Sequence, residues 1–201
     1  MCGIVGHVST SPVNQQIYDS LLLLQHRGQD STGIATLEGQ TIHRVKAKGQ
    51  VREAYRTRDM RSLLGDVGLG HVRYATSGSS KNEAEVQPFY VNAPYGLVLV
   101  HNGNLTNTRE LSDALYRIDR RHLNSDSDTE LLLNVLANEL QATAGEDELT
   151  PEQVFAAVDG VHRRVEGSYA SIALIAGYGL VAFRDPFGIR PLVLGHRTDE
   201  N

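Results

Sequence analysis

Cys2 stands directly behind the initiator methionine, in Met1-Cys2-Gly3-Ile4-Val5-Gly6. Methionine is readily trimmed when a small residue follows it, and the trimmed chain begins with a residue carrying both a thiol and a free α-amine. The amine has a reference pKa of about 7.7–8.0, so at about pH 7.5 roughly a third of it is neutral and able to accept a proton. The thiol, near 8.5, is mostly protonated there and needs such a base, directly or through one water. One residue thus supplies nucleophile and base. Cys2 also fits a buried spectator in a first strand, and Met-Cys alone does not choose.

Three further segments carry groups that such a nucleophile would use. In Leu97-Val98-Leu99-Val100-His101-Asn102-Gly103-Asn104-Leu105 an apolar strand runs into Asn-Gly. Attack on an amide creates an oxyanion that needs fixed donors. The Asn102 carboxamide and the Gly103 N–H can supply them, glycine letting the backbone come close. Asn-Gly is equally a tight-turn signal. Arg73, ending Leu69-Gly70-His71-Val72-Arg73, can hold a carboxylate bidentately. Asp128, in the first turn of an expected helix, can pair with an ammonium group while the positive helix end keeps it ionised. Aspartate also favours that position for stability alone.

The elements that must position these groups follow from the apolar patterning. Gly3–Val8 reads as a buried strand and Asn14–Gln25 as a helix ended by Gly28. β texture covers Gly33–Leu37, Thr41–Lys48, Leu69–Tyr74 and Gly96–His101. A helix is expected over Thr106–Arg120, with Asn107 and Glu110 spaced as a capping pair. A second starts at Ser127, with a capping box to Glu130. A third runs from Thr150, with Pro151 in its first position and Gln153 completing a box, to near Gly167. Strands return at Ser168–Ile175, Leu180–Arg184 and Leu192–Leu194, the first two joined by a turn at Gly177-Tyr178-Gly179. Strands, helices, then strands imply mixed α and β with antiparallel sheet in one domain.

Composition narrows the class. With 201 residues, 40% hydrophobic and 21% charged, the chain has the make-up of a folded protein. No apolar run approaches the ~20 residues of a membrane span, and no basic stretch follows Met1, so a cytoplasmic protein is expected. A net charge of −5 argues against nucleic acid as a partner. The one basic cluster, Arg117 to His122, reads as a solvated helix end. A single cysteine excludes an internal disulfide and a zinc-thiolate site, and the eight histidines are scattered without metal-ligand spacing.

Taken together, six segments resemble the class II glutamine amidotransferases, whose glutaminase domain is an N-terminal nucleophile hydrolase. They are Met1–Gly6, Gln25-His26-Arg27-Gly28-Gln29-Asp30-Ser31, the Arg73 segment, Gln87-Pro88-Phe89-Tyr90, the Asn102-Gly103 segment, and Arg184-Asp185-Pro186-Phe187-Gly188-Ile189-Arg190-Pro191-Leu192. All fall in the family's order. The wording is closest to the branch that feeds phosphoribosyl pyrophosphate into purine synthesis. The sugar-phosphate and asparagine branches write Tyr-Arg-Gly-Tyr-Asp and His-Arg-Gly-Pro-Asp where this chain has His26-Arg27-Gly28-Gln29-Asp30.

The resemblance implies an α+β fold of four layers (αββα), two antiparallel sheets between helices. It implies Cys2 as nucleophile and its own amine as base, with Asn102 and Gly103 as the oxyanion hole. Arg73 and Asp128 would grip the α-carboxylate and α-amine of glutamine, with Tyr74, Thr76 and Arg27 also at the substrate site and Arg73–Ser80 forming a mobile lid. No metal or other cofactor is expected in this segment; Mg²⁺ would belong to the phosphoribosyltransferase domain that follows in the family. That domain is the implied partner, and the full-length enzyme an implied homo-oligomer. Relatives are more than twice as long, so residues 1–201 are expected to be a glutaminase domain, C-terminally incomplete. The same half-reaction serving another acceptor (a sugar phosphate or aspartate) stays open, as does a non-catalytic glutamine-binding module. A papain-like protease does not fit, since no cysteine–histidine motif is present.

Overall fold

The segment Ser31–Glu38 is buried over its first seven residues, so both its faces need cover. The computed structural model, which describes residues 2–74, 85–145 and 148–198, provides it with two stacked sheets. The order is β1 (Gly3–Val8), α1 (Asn14–Leu23) with a 3₁₀ turn at Leu24–Arg27, β2 (Ser31–Glu38), β3 (Thr41–Lys48), α2 (Val51–Ala54), α3 (Thr57–Ser62), β4 (Val67–Arg73), β5 (Phe89–Val91), β6 (Leu97–Leu105), α4 (Thr108–Arg117), α5 (Asp128–Thr143), α6 (Pro151–Arg164), β7 (Gly167–Ile175) and β8 (Gly179–Arg184).

One antiparallel sheet runs β1-β4-β2-β3 and the other β5-β6-β7-β8. Side-chain alternation divides the core into three apolar layers. Ile17 and Leu21 of α1 pack with Ile34, Val72, Val51 and Leu63 outside the first sheet. Leu132, Leu136, Ala157 and Val161 of α5 and α6 pack with Leu97, Leu99 and Tyr169 outside the second. Ala35, Leu37 and Leu69 meet Val98, Val100, Ile172 and Leu174 between the sheets. This is the four-layer αββα sandwich that the resemblance implies. No helix among the described residues is long and apolar enough to cross a membrane.

Several local expectations change. Asn102-Gly103 is no turn: β6 continues through it to Leu105, pairing Asn102 with Ala170 and Gly103 with Tyr169 of β7. Pairing with a long neighbour overrides the local turn preference. The first helix gives way to a 3₁₀ turn before Gln25, and the third ends at Arg164. The strand expected at Leu192–Leu194 does not form: these residues lie outside any element, with Val193 and Leu194 exposed, and no neighbouring strand among the described residues pairs with them. Asn107 makes no cap; its amide donates to the Arg164 carbonyl (2.8 Å) and accepts from Glu166 N–H (3.1 Å), tying α6 to β7. At α5 a simple cap replaces the expected box. Ser127 accepts from Thr129 N–H, but the Glu130 carboxylate takes the N–H groups of Asn124 and Ser125 at 2.9 and 2.8 Å. The box at Thr150 and Gln153 is complete, with Pro151 at the start.

The motif after β8 is held by one side chain. Asp185 is 2% exposed, and its carboxylate accepts from the N–H groups of Tyr169, Phe187, Ile189 and Arg190 at 3.0–3.3 Å. Burial by itself would raise its pKa; these donors outweigh burial and hold it below the usual carboxylate range. A lowered folded-state pKa contributes stability above the unfolded value, lost as pH falls through the folded one. Asp185→Asn should therefore cost about 2 kcal/mol at neutral pH, and the deficit should shrink as pH falls below about 4, where the unfolded wild-type chain takes up the proton, and vanish only below the lower folded-state value. Urea unfolding at the two pH values checks this.

Candidate functional site

Cys2 precedes β1, whose register pairs Gly3 with Val72 and so sets Cys2 beside Arg73 at the end of β4. Ile4 of β1 faces the layer between the sheets, and alternation puts Cys2 on the same side. By the same rule His71 and Arg73 share a face with Leu69, and Asn102 shares one with Val98 and Val100. The apolar layer between the sheets thus ends in a polar pocket drawn from both.

Cys2 is held at its carbonyl and at its sulfur. Arg27 Nε donates to the Cys2 carbonyl at 3.0 Å. The Tyr74 N–H reaches the sulfur, while the Tyr74 side chain is largely exposed. Gly28 brings this about: a Cβ there would sit 2.3 Å from the Arg73 carbonyl carbon and 2.7 Å from Tyr74 N. Next to it, Asp30 N–H donates to the Arg73 carbonyl at 3.0 Å. The Gln25–Ser31 segment therefore fixes both sides of Cys2.

Burial pushes the Cys2 thiol up. The Tyr74 N–H and Arg73 pull it down, Asp128 pushes it further up, and burial prevails. The thiol rests protonated and needs a base to become a nucleophile. Arg73 is already engaged: Nη2 meets Glu85 Oε2 at 2.6 Å and Nη1 lies 3.7 Å from Asp30 Oδ2. His71 is fully buried beside it. Burial, with His101 and Arg73 nearby, lowers its pKa to about 3, so the imidazole is neutral.

The edge of β6 beyond β5, which no strand among the described residues covers, completes the site. In an antiparallel ladder the N–H and C=O of alternate residues point to the same edge. β5 stops at Phe89, opposite Leu99. The His101 N–H on this edge is taken by Gln87 Oε1 at 2.7 Å, and the Leu105 N–H by Asp128 Oδ2 at 3.3 Å. Gly103 lies between them, its N–H aimed at the same edge. A Cβ on Gly103 would come 2.0 Å from the Ser168 carbonyl oxygen and 2.7 Å from the His101 ring. Asn102 is buried on the face toward Cys2.

Asp128 opens α5 and faces His101 Nδ1 at 3.6 Å, and the same nitrogen lies 3.2 Å from Thr129 Oγ1. His101 Nε2 is buried without a partner among the described residues. Burial raises the Asp128 pKa, but His101 and the N–H groups of Leu105 and Thr129 outweigh it and keep the carboxylate ionised.

The structure thus places Arg73, Asp128 and the Tyr74 backbone within electrostatic reach of the Cys2 thiol. It brings Arg27 onto the Cys2 backbone and sets Asn102-Gly103 on β6 of the facing sheet. Thr76, and the Ala75–Ser80 part of the expected lid, lie outside the described residues. Sequence reasoning assigned no role to Gln87, Glu85, His101 or Thr129. Their one available signal was position: Gln87 lies in a matched segment, and His101 and Thr129 adjoin assigned residues. No group of three or more histidine, cysteine, aspartate or glutamate side chains among the described residues is placed to hold a metal ion.

Two antiparallel sheets between helical layers, with the second residue of the chain at their polar end, give the architecture of an N-terminal nucleophile hydrolase. The chain belongs to the glutamine amidotransferase domain family, which matches residues 71–201. It is 58% identical over 200 residues to an amidophosphoribosyltransferase of Pasteurella multocida, covering 99% of this chain and 39% of that one. To the Escherichia coli amidophosphoribosyltransferase it is 53% identical over 203 residues, covering 100% and 40%. Among solved structures, the glutamine phosphoribosylpyrophosphate amidotransferase of Bacillus subtilis, complexed with ADP and GMP, superposes with a TM-score of 0.79. That match has 26% identity and covers 99% of this chain and 40% of the other. The chain spans about two fifths of the length of the curated relatives it matches.

The thiol's environment sets its pH response. Alkylation of Cys2 by iodoacetamide should accelerate with pH to a midpoint above about 8.5, the ordinary thiol value. Asp128→Asn, which removes a charge that raises the pKa, should move that midpoint down; an unmoved midpoint would contradict the placement of Asp128 beside the thiol.

Proposed function

We propose that this chain performs the glutamine half of an amidotransferase reaction through Cys2. The observation that carries this reading is the convergence of Cys2, Arg73 and Asp128 beside the free edge of β6. The half-buried thiol is protonated, so it must pass its proton to a base as it attacks. The α-amine that Met1 removal exposes on the same residue is that base, directly or through a water. Sulfur bonds to the γ-carbonyl carbon, and the developing oxyanion takes hydrogen bonds from the Asn102 carboxamide and the Gly103 N–H. The C–N bond breaks, the amine's proton goes to the leaving nitrogen, and ammonia departs from a γ-glutamyl thioester. Water, giving its proton to the same amine, then cleaves the thioester to glutamate and restores the thiol.

Arg73 would hold the α-carboxylate of glutamine, exchanging its bond with Glu85 for one to the ligand. Asp128, ionised at the start of α5, would pair with the α-ammonium group. Tyr74 serves through its N–H at the sulfur, and Arg27 through the Cys2 carbonyl. Thr76 is assigned to the same substrate site.

The relatives' names favour phosphoribosyl pyrophosphate as the acceptor of ammonia, giving phosphoribosylamine at the entry to purine synthesis. On this reading residues 1–201 are the glutaminase part of a longer cytoplasmic homo-oligomer. A phosphoribosyltransferase domain is its partner, and the Mg²⁺ requirement belongs to that domain. Assay of the longer protein with phosphoribosyl pyrophosphate against a sugar phosphate and aspartate decides the acceptor.

Cys2→Ala, or one residue inserted before Cys2, should lower glutamine hydrolysis by on the order of 10³-fold or more while leaving the far-ultraviolet circular dichroism unchanged. Full glutaminase activity in either variant would refute the assignment.

A further inference from the structure

Gln87 is 6% exposed and makes three hydrogen bonds with its side chain, all to the neighbourhood of the site. Oε1 accepts from the His101 N–H at 2.7 Å; Nε2 donates to the His101 carbonyl at 3.3 Å and to Thr129 Oγ1 at 2.9 Å. The β5–β6 register, continued from Phe89 opposite Leu99, places Gln87 opposite His101. Where the backbone ladder stops, the carboxamide acts as one more rung, satisfying both peptide groups of His101 as a strand would.

Its two partners adjoin the groups assigned to the chemistry. His101 precedes Asn102 and Gly103, whose donors face the developing oxyanion. Thr129 follows Asp128, whose carboxylate also takes the Leu105 N–H at 3.3 Å. One planar amide therefore spans the free edge of β6 and the first turn of α5. Its orientation is fixed, because the His101 N–H can meet only the oxygen end. A strand edge without such a rung leaves two buried peptide groups unpaired and the edge free to move.

We propose that Gln87 is a positioning residue: its carboxamide fixes the Asn102-Gly103 donors relative to Asp128, so that an oxyanion formed at Cys2 meets a preset pair of hydrogen bonds. This rests on the glutamine hydrolysis described above. Gln87 touches neither substrate nor sulfur on this account; it acts through the strand. The donors matter most when charge has developed on oxygen, so their misplacement lowers kcat more than it raises KM.

The test uses the chain itself, with Gln87→Glu, which keeps an acceptor but loses the donor, and Gln87→Met, which loses both. Each is labelled to completion with 6-diazo-5-oxonorleucine to count assembled sites, and turnover of glutamine is then expressed per labelled site. The expected result is a fall in kcat per site of about tenfold or more in both variants, against up to 10²–10³-fold for outright loss of one oxyanion donor, with KM changed less than about threefold. Thr129→Val, which removes the far end of the bridge and nothing assigned to the chemistry, should give a smaller fall in kcat of the same kind. A merely structural role would lower the fraction labelled and leave turnover per labelled site unchanged, and that result would overturn the proposal. If the Gln87 variants contain no labelled sites, Thr129→Val with unchanged turnover per site overturns it, and with reduced turnover supports it. A wild-type chain that is labelled but does not turn over glutamine would sink the parent reading instead.

Discussion

Alternate side chains of a β-strand share a face, so a sheet that buries Leu69 against its neighbour must send His71 and Arg73 to the same side. The other sheet obeys the same rule along Val98, Val100 and Asn102. Both apolar runs end before their strands do, and the space between the sheets changes there from packed hydrocarbon to a polar pocket. β5 adds a second constraint. It is three residues long, so β6 runs on past it, and the peptide groups on its free edge must be paired by side chains or left for a ligand. Gln87 and Asp128 pair two of those positions, and Gly103 lies between them.

Charge in the pocket is distributed so that no single group is ready to react unaided. The thiol is pushed up by burial and by Asp128, His71 is neutral, and Arg73 is held by Glu85 and Asp30. Asp128 stays ionised, and it and Arg73 are groups suited to hold an amino acid by its two ends. On the proposed reading, activation of sulfur would fall to the α-amine of the same residue, which the covalent frame of Cys2 would keep within reach of the thiol. Asp128 serves two purposes at once, since the carboxylate that would bind an ammonium group also ends the β6 edge.

Much of the fold was legible where local pattern and tertiary need agree. The strands Gly3–Val8 and Thr41–Lys48 have the bounds their apolar patterning implies, and the Thr150 box with Pro151 marks the start of α6. α2 and α3 escaped notice because four and six residues hold too little periodicity. Asn102-Gly103 reads locally as a turn and is strand because β7, far along the chain, pairs with it. The expected strand at Leu192–Leu194 has the composition of one without a neighbour among the described residues to pair with. At the site, the residue types and the resemblance named Cys2, Arg73, Asp128, Asn102 and Gly103. The register that sets Cys2 beside Arg73, and the bridging by Gln87 and His101, depend on chain segments far apart in sequence. Arg73's two carboxylate partners were likewise invisible, since Asp30 and Glu85 approach it from separate loops.

Intact mass of the purified chain, before and after 6-diazo-5-oxonorleucine, tests the central claim most directly. The account predicts loss of Met1 and one adduct, located at Cys2, blocked by excess glutamine. A chain lacking Met1 that takes no adduct, or takes it elsewhere than Cys2, would contradict it.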